Sequence, residues 1–173
     1  MKILHVTSGI SPSSGGPTRS VKGLCRALSQ AGADVTLLVL SGQHEFDNPC
    51  GVKVIRCAQL STLNSQLTTF DIVHLHGLWN LGLHKVCADC RKVGVPYVIS
   101  PRGMLDPWAL SVKKWKKRLA LRLYQRRDLK GAAAFHATAE LEASNIRKQG
   151  LDQPIIIAPN GVDVGICEVG RMD

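Results

Sequence analysis

Met1–Leu40 reads MKILHVTSGISPSSGGPTRSVKGLCRALSQAGADVTLLVL. Two short aliphatic and β-branched runs, Lys2–Thr7 and Asp34–Leu40, flank a segment with helical spacing, Thr18–Ala31. Run length and period predict a strand, a helix and a second strand. A strand followed by a crossover helix must pair parallel with the next strand, and the crossover is right-handed.

The alternation continues outward from this unit. Further strands are predicted at Val52–Cys57, Asp71–Leu75, Tyr97–Ser100, Ala133–Thr138 and Ile155–Ala158. Helices are predicted at Leu81–Val93, Val112–Leu129 and Glu140–Gln149, and the connection near Leu60–Thr69 is weaker. Alternating strands and helices imply a doubly wound α/β domain: a mostly parallel sheet with helices on both faces. A chain of 173 residues is long enough to bury one such core.

Apolar residues make up 45% of the chain and charged residues 20%, which excludes a disordered or membrane-spanning composition. No apolar run approaches the roughly 20 residues that cross a bilayer, and MKILHVTS is too short for a signal-peptide core. A cytoplasmic protein is expected. Of the six cysteines only Cys87 and Cys90 are closely spaced. They fall inside a predicted helix without a second ligand pair, so no metal is expected, and buried thiols are favoured over a redox pair. The formal charge is +9, and Lys113–Lys130 carries nine cations and one acid, Asp128. Anionic partners are favoured by such an excess; a solvated helix face is the other reading.

Ligands of doubly wound sheets bind beyond the carboxyl ends of the strands, where strand order reverses. The loops there are SGISPSSGGP, SGQHEFDNPCG, HGLWN, PRGMLDPWALS, AE and PNGVD. The first loop contains neither G-x-G-x-x-G nor a P-loop lysine. Gly15 and Gly16 still permit close backbone approach, and Pro17 suits a first helical position, so SSGGPTRS is either a turn or a cradle for a phosphate or sugar.

In this order and spacing, the loop region with DIVHLHGLW, VPYVISPRGMLDPWAL, FHATAELEASNIRKQG and IIIAPNGVDV resembles the N-terminal domain of glycosyltransferase family 4, the group 1 glycosyltransferases. The resemblance spans about residues 1–164. It implies one half of a GT-B architecture: a Rossmann-like acceptor-side domain facing a second domain that holds a nucleotide-sugar, with retaining, metal-independent chemistry and no cofactor beyond that co-substrate. The acceptor would be a saccharide or a lipid-linked molecule. Such relatives carry two donor-binding glutamates separated by seven residues in the second domain, a spacing not found here. Residues 165–173, GICEVGRMD, stand where a linker would begin. The expected partner is therefore a second GT-B domain or a homodimer, with Trp79, Leu78 and Trp108 as exposed apolar candidates.

Residue by residue, Gly15 and Gly16 match the family's glycine loop near donor diphosphate or acceptor. His76 occupies a cleft position and could bond a sugar hydroxyl or phosphate, or simply cap its strand. Arg102 stands where many relatives have a histidine; it cannot act as a base, and its planar fork favours substrate positioning. Glu140 could cap its helix or face the cleft. No catalytic residue is assigned, and His74, deeper on the same strand face as His76, receives no role.

In the basic run, Trp115, Leu119 and Leu123 recur at helical spacing among lysines and arginines. This suits an interfacial helix on an anionic membrane, which would place the protein peripherally at the inner face, or a core-facing stripe with a wet basic back. Nucleic acid is disfavoured because no stacking aromatics alternate with the cations. Two further functions stay open: a stand-alone binding module for a sugar, phosphosugar or lipid-linked acceptor, and an unrelated Rossmann-like nucleotide enzyme, against which the missing glycine fingerprint argues.

Overall fold

The computed structural model describes residues 1–10, 16–41, 51–56 and 66–161. Seven strands form one parallel sheet in the order β3-β2-β1-β4-β5-β6-β7. They are β1 (Lys2–Gly9), β2 (Asp34–Ser41), β3 (Lys53–Arg56), β4 (Ile72–His76), β5 (Tyr97–Ser100), β6 (Ala134–Ala137) and β7 (Ile155–Ile157). The chain builds outward from β1 to β3, then returns to lay β4 against the other side of β1. The switch point lies between β1 and β4.

Helix α1 (Gly16–Gln30) covers one face, where Val21 and Cys25 pack on Val35, Leu37 and Val39 of β2. Helices α2 (Leu81–Val93), α5 (Arg126–Lys130) and α6 (Glu140–Arg147) cover the other. There Leu83, Val86, Leu129 and Ile146 meet Leu4, Val6, Leu75, Ile99 and Phe135. Because both faces are covered, β2 is one unbroken buried run, apolar but for Thr36, whose alternate residues serve opposite cores. The doubly wound, Rossmann-like α/β fold expected from the sequence is the fold observed.

Helix α2 runs over the predicted residues because its ends are written locally. Asn80 Oδ1 accepts from the backbone N–H groups of Gly82 and Leu83 at 2.8 and 3.2 Å, and Gly94 closes the helix at φ 78°. Cys25, Cys87 and Cys90 are buried, and burial pushes the thiols of Cys25 and Cys90 up to about 12, which leaves them as packing groups.

The expected single helix Val112–Leu129 is corrected. Helix α3 (Pro107–Ser111) ends before Lys113, which takes φ 52°; α4 (Lys114–Ala120) then passes through a π turn at Leu121–Gln125 into α5. A core-facing stripe is also excluded here, since Trp115, Leu119 and Leu123 are exposed. Leu78, expected on an exposed apolar face, is buried in the core, and Trp79 is half-buried; Trp108 is exposed.

Candidate functional site

Polar side chains gather at the carboxyl ends of the strands around the switch point. In the parallel ladders His5 pairs with His74, and His76 pairs with Ser100. Side chains two residues apart share a sheet face, so His5, His74, His76, Ser100 and His136 form a row across β1, β4, β5 and β6 on the side that carries α1.

Arg102 sets the direction of the first hydrogen-bond chain. A guanidinium only donates, so the 3.1 Å contact from Arg102 Nη2 makes His76 Nδ1 an acceptor. The proton of neutral His76 therefore sits on Nε2 and is donated to His5 Nδ1 at 2.9 Å. His5 is left with its proton on Nε2, which is buried without a partner among the described residues. A second chain is set by a carbonyl. His136 Nε2–H donates to Ala158 O at 2.9 Å, so His136 Nδ1 accepts from Ser100 Oγ at 2.8 Å, and Ser100 Oγ accepts from His74 Nε2–H at 2.7 Å.

The surroundings of His5, His74 and His76 favour the neutral imidazoles that this direction of bonding assigns to them. Burial lowers His5 to about 4, with Arg102 and His136 adding repulsion. Burial likewise holds His74 and His76 well below the ordinary value, and neighbouring histidines and Arg102 push the same way.

Arg102 sits in the turn after β5 at φ 56°, followed by Gly103 at φ 74°. A left-handed arginine stores roughly 1 kcal/mol of strain, held here by its contacts. Nη1 donates to Asn160 Oδ1 at 2.5 Å and to Ser20 Oγ at 3.3 Å, while Nε is buried without a partner. Glu142 fixes the turn from below. Its carboxylate accepts from Gly103 N–H, Thr138 N–H and Thr138 Oγ, each at 2.8 Å, which ties the start of α6 to the arginine loop.

One ring nitrogen from each of His5, His74 and His76 lies within 4.8 Å of the other two, a possible ligand set for a transition metal. No carboxylate belongs to this set, and the Arg102 guanidinium against His76 opposes a dication there. Unpartnered N–H donors at His5 and Arg102 favour an anionic or hydroxyl-rich ligand instead.

Of the residues chosen from sequence, His76 and Arg102 are brought into direct contact. Gly15 lies outside the described residues, and Gly16 is the first residue of α1. Glu140 is exposed in the first turn of α6, and the carboxylate in the network is Glu142. His5, His74, Ser100, His136 and Glu142 were not selected from sequence. The available signal was a histidine interrupting each of three apolar runs, which parallel register brings side by side.

The profile of the glycosyl transferase 4-like domain matches residues 15–161. No curated protein matches the chain. Among solved structures the chain is similar to Anabaena Alr3699/HepE in complex with UDP, at TM-score 0.65 and 15% identity over 94% of this chain and 45% of that one. The same protein in complex with UDP-glucose gives TM-score 0.64 and 16% identity over 94% and 44%. This chain thus spans less than half the length of that protein, and the likeness bears on fold. Matched along most of its length, and folded as a doubly wound sheet with a polar cluster at the switch point, the chain belongs to the glycosyl transferase 4-like domain family.

Proposed function

We propose that this chain is the N-terminal, acceptor-side domain of a retaining GT-B glycosyltransferase, which moves a sugar from a nucleotide-sugar to a saccharide or lipid-linked acceptor. The observation that carries the reading is the convergence of Arg102, His76 and His5 at the switch point, with unpartnered donors at His5 Nε2 and Arg102 Nε. Sugar hydroxyls and phosphate oxygens are the acceptors such donors suit, and a fixed guanidinium fork positions them without reorganising. Arg102 and the histidine row bind and orient in this scheme. The nucleotide-sugar and the groups acting on it belong to the opposing wall of the crevice. The match to a protein crystallised with UDP and UDP-glucose supports a nucleotide-sugar as co-substrate.

Calorimetric titration with sugar phosphates, oligosaccharides and polyprenyl-phosphate sugars tests the site. Arg102→Met should weaken the best ligand by about tenfold to a hundredfold, the loss of a charged hydrogen bond, with little change in melting temperature. Undiminished binding by that variant would remove the site from the proposal.

A further inference from the structure

The segment 107–123 leaves five of its large apolar side chains in solvent. Neither α3 nor α4 contains a buried residue. Trp108 is 76% exposed, Trp115 67% and Leu123 70%, with Val112 and Leu119 also exposed. These five are half of the ten exposed large apolar side chains among the described residues, all within one short stretch. Scattered exposed apolar groups are ordinary; a contiguous set on one structural segment marks an interaction surface.

Charge selects the occupant. Residues 107–127 contain eight lysines and arginines and no acid. The one acid beyond them, Asp128, is buried and already paired with Arg91 and His84 at 2.9 Å each. Lys116 Nζ lies 5.3 Å from the Trp115 ring, so cations and aromatic anchors are interleaved on the surface. Positive charge continues around the helix, where Arg127 joins His84, Arg91 and Lys92 in lining a recess of about 380 Å³ against α2. A second copy of this chain would bring like charge against like. An acidic protein would satisfy the cations but has no evident need of two tryptophans and two leucines spread over α3, α4 and the π turn. An anionic bilayer takes both, with cations at the phosphates and apolar anchors at the acyl boundary. No helix of the described residues is long and apolar enough to cross it.

We propose that residues 107–130 lie in the interface of an anionic membrane, with Trp108, Trp115, Leu119 and Leu123 inserted at the headgroup–acyl boundary. The surface adjoins the crevice. Arg102 stands in the loop that leads into α3, and Lys117 Nζ lies 5.8 Å from the ring of Trp79, whose backbone N–H bonds Gln125 Oε1 at 2.9 Å. Membrane docking would therefore present the switch point to acceptors carried in the bilayer, a consequence that rests on the function proposed above.

Flotation of the chain with vesicles tests the docking, comparing phosphatidylcholine alone with phosphatidylcholine mixed with phosphatidylglycerol. Binding should require phosphatidylglycerol and fall with salt. Trp115→Ser combined with Leu123→Ser should cut it by about tenfold or more at low salt, since the charge is kept and the anchors are lost. Trp115 fluorescence, in a chain with Trp79→Phe and Trp108→Phe, should be quenched by brominated lipid. Trp115→Ser, Leu123→Ser and Trp108→Phe, all at exposed positions, should leave the melting temperature in place. Absence of binding at low salt overturns the proposal. So does binding that ignores loss of the anchors, which is adsorption to any polyanion, and so does equal affinity for an acidic protein or RNA. Arg102→Met separates the two readings: it should float as the unaltered chain does while losing acceptor binding.

Discussion

His5 is held neutral by its place in the row, and its titration has a sign. The neighbours facing it are His74 and His76 from β4, Arg102 from the loop after β5 and His136 from β6, none of them anionic. In the unfolded chain the ring titrates at its ordinary 6.5; in the fold it titrates at about 4. Between those values the unfolded state binds a proton that the native state does not, so stability falls as pH drops below 6.5 and is unaffected above it. His5 alone makes about 3 kcal/mol pH-dependent across that window, and His74 and His76 act in the same direction. Urea unfolding at pH 7.5 and 5 should show about 2 kcal/mol of this loss from His5, and His5→Asn should flatten the slope; an equal slope in that variant would place the titration elsewhere. Binding of an anion beside Arg102 should oppose the trend, because negative charge favours the imidazolium forms.

Helix α5 is anchored at two points that sequence periodicity does not reveal. The buried Asp128 carboxylate accepts from Arg91 and His84 of α2, and Tyr97 Oη–H donates to Asp128 O at 2.7 Å. Burial raises this carboxyl and its two partners pull it back, so it works as a paired charge. Asp128→Ala should cost about 3 kcal/mol, since Arg91 loses its counter-charge and His84 its hydrogen-bond acceptor in a largely covered place. Just beyond, a Cβ on Gly131 would lie 2.6 Å from Tyr97 Oη and 2.9 Å from Arg91 Cδ. Gly131 has φ −84°, within reach of any residue, so Gly131→Ala tests sterics alone. It should destabilise by about 1–3 kcal/mol in denaturant titration, by overpacking and by displacing the tyrosine bond. A neutral or stabilising alanine would show that Tyr97 and Arg91 have room to shift. Asp128 was legible in sequence only as the one acid in a basic run, because the side chains that hold it, Arg91 and His84, belong to a helix about forty residues earlier.

At the scale of the molecule, the proposed function makes this domain one of two walls of a substrate crevice. His76 closes β4 and Arg102 follows β5, at the carboxyl ends of the strands, while acceleration of glycosyl transfer depends on holding donor and acceptor together and stabilising the leaving diphosphate. The 173-residue chain should therefore bind acceptor without turning over. Radiolabelled sugar transfer from a panel of nucleotide-sugars, with and without a separately expressed second GT-B domain, measures this. Multiple turnover by the chain alone would require a donor site on this wall.

The amino-acid sequence by itself determined the layered α/β fold, since a period of two followed by a period near 3.6 is written in each segment and parallel pairing follows from the helical crossovers. It determined the ends of α2, because Asn80 and Gly94 act on their immediate neighbours. His76 and Arg102 were legible through a family pattern. Only the tertiary structure decided that α3, the turn at Lys113 and the π turn replace one continuous helix, and that Trp115 faces water. A helical period says that a stripe exists and not what lies against it. Likewise the histidine row depends on strand register, and the register of β1 against β4 is set by a switch in strand order across about seventy residues, which no local spacing encodes.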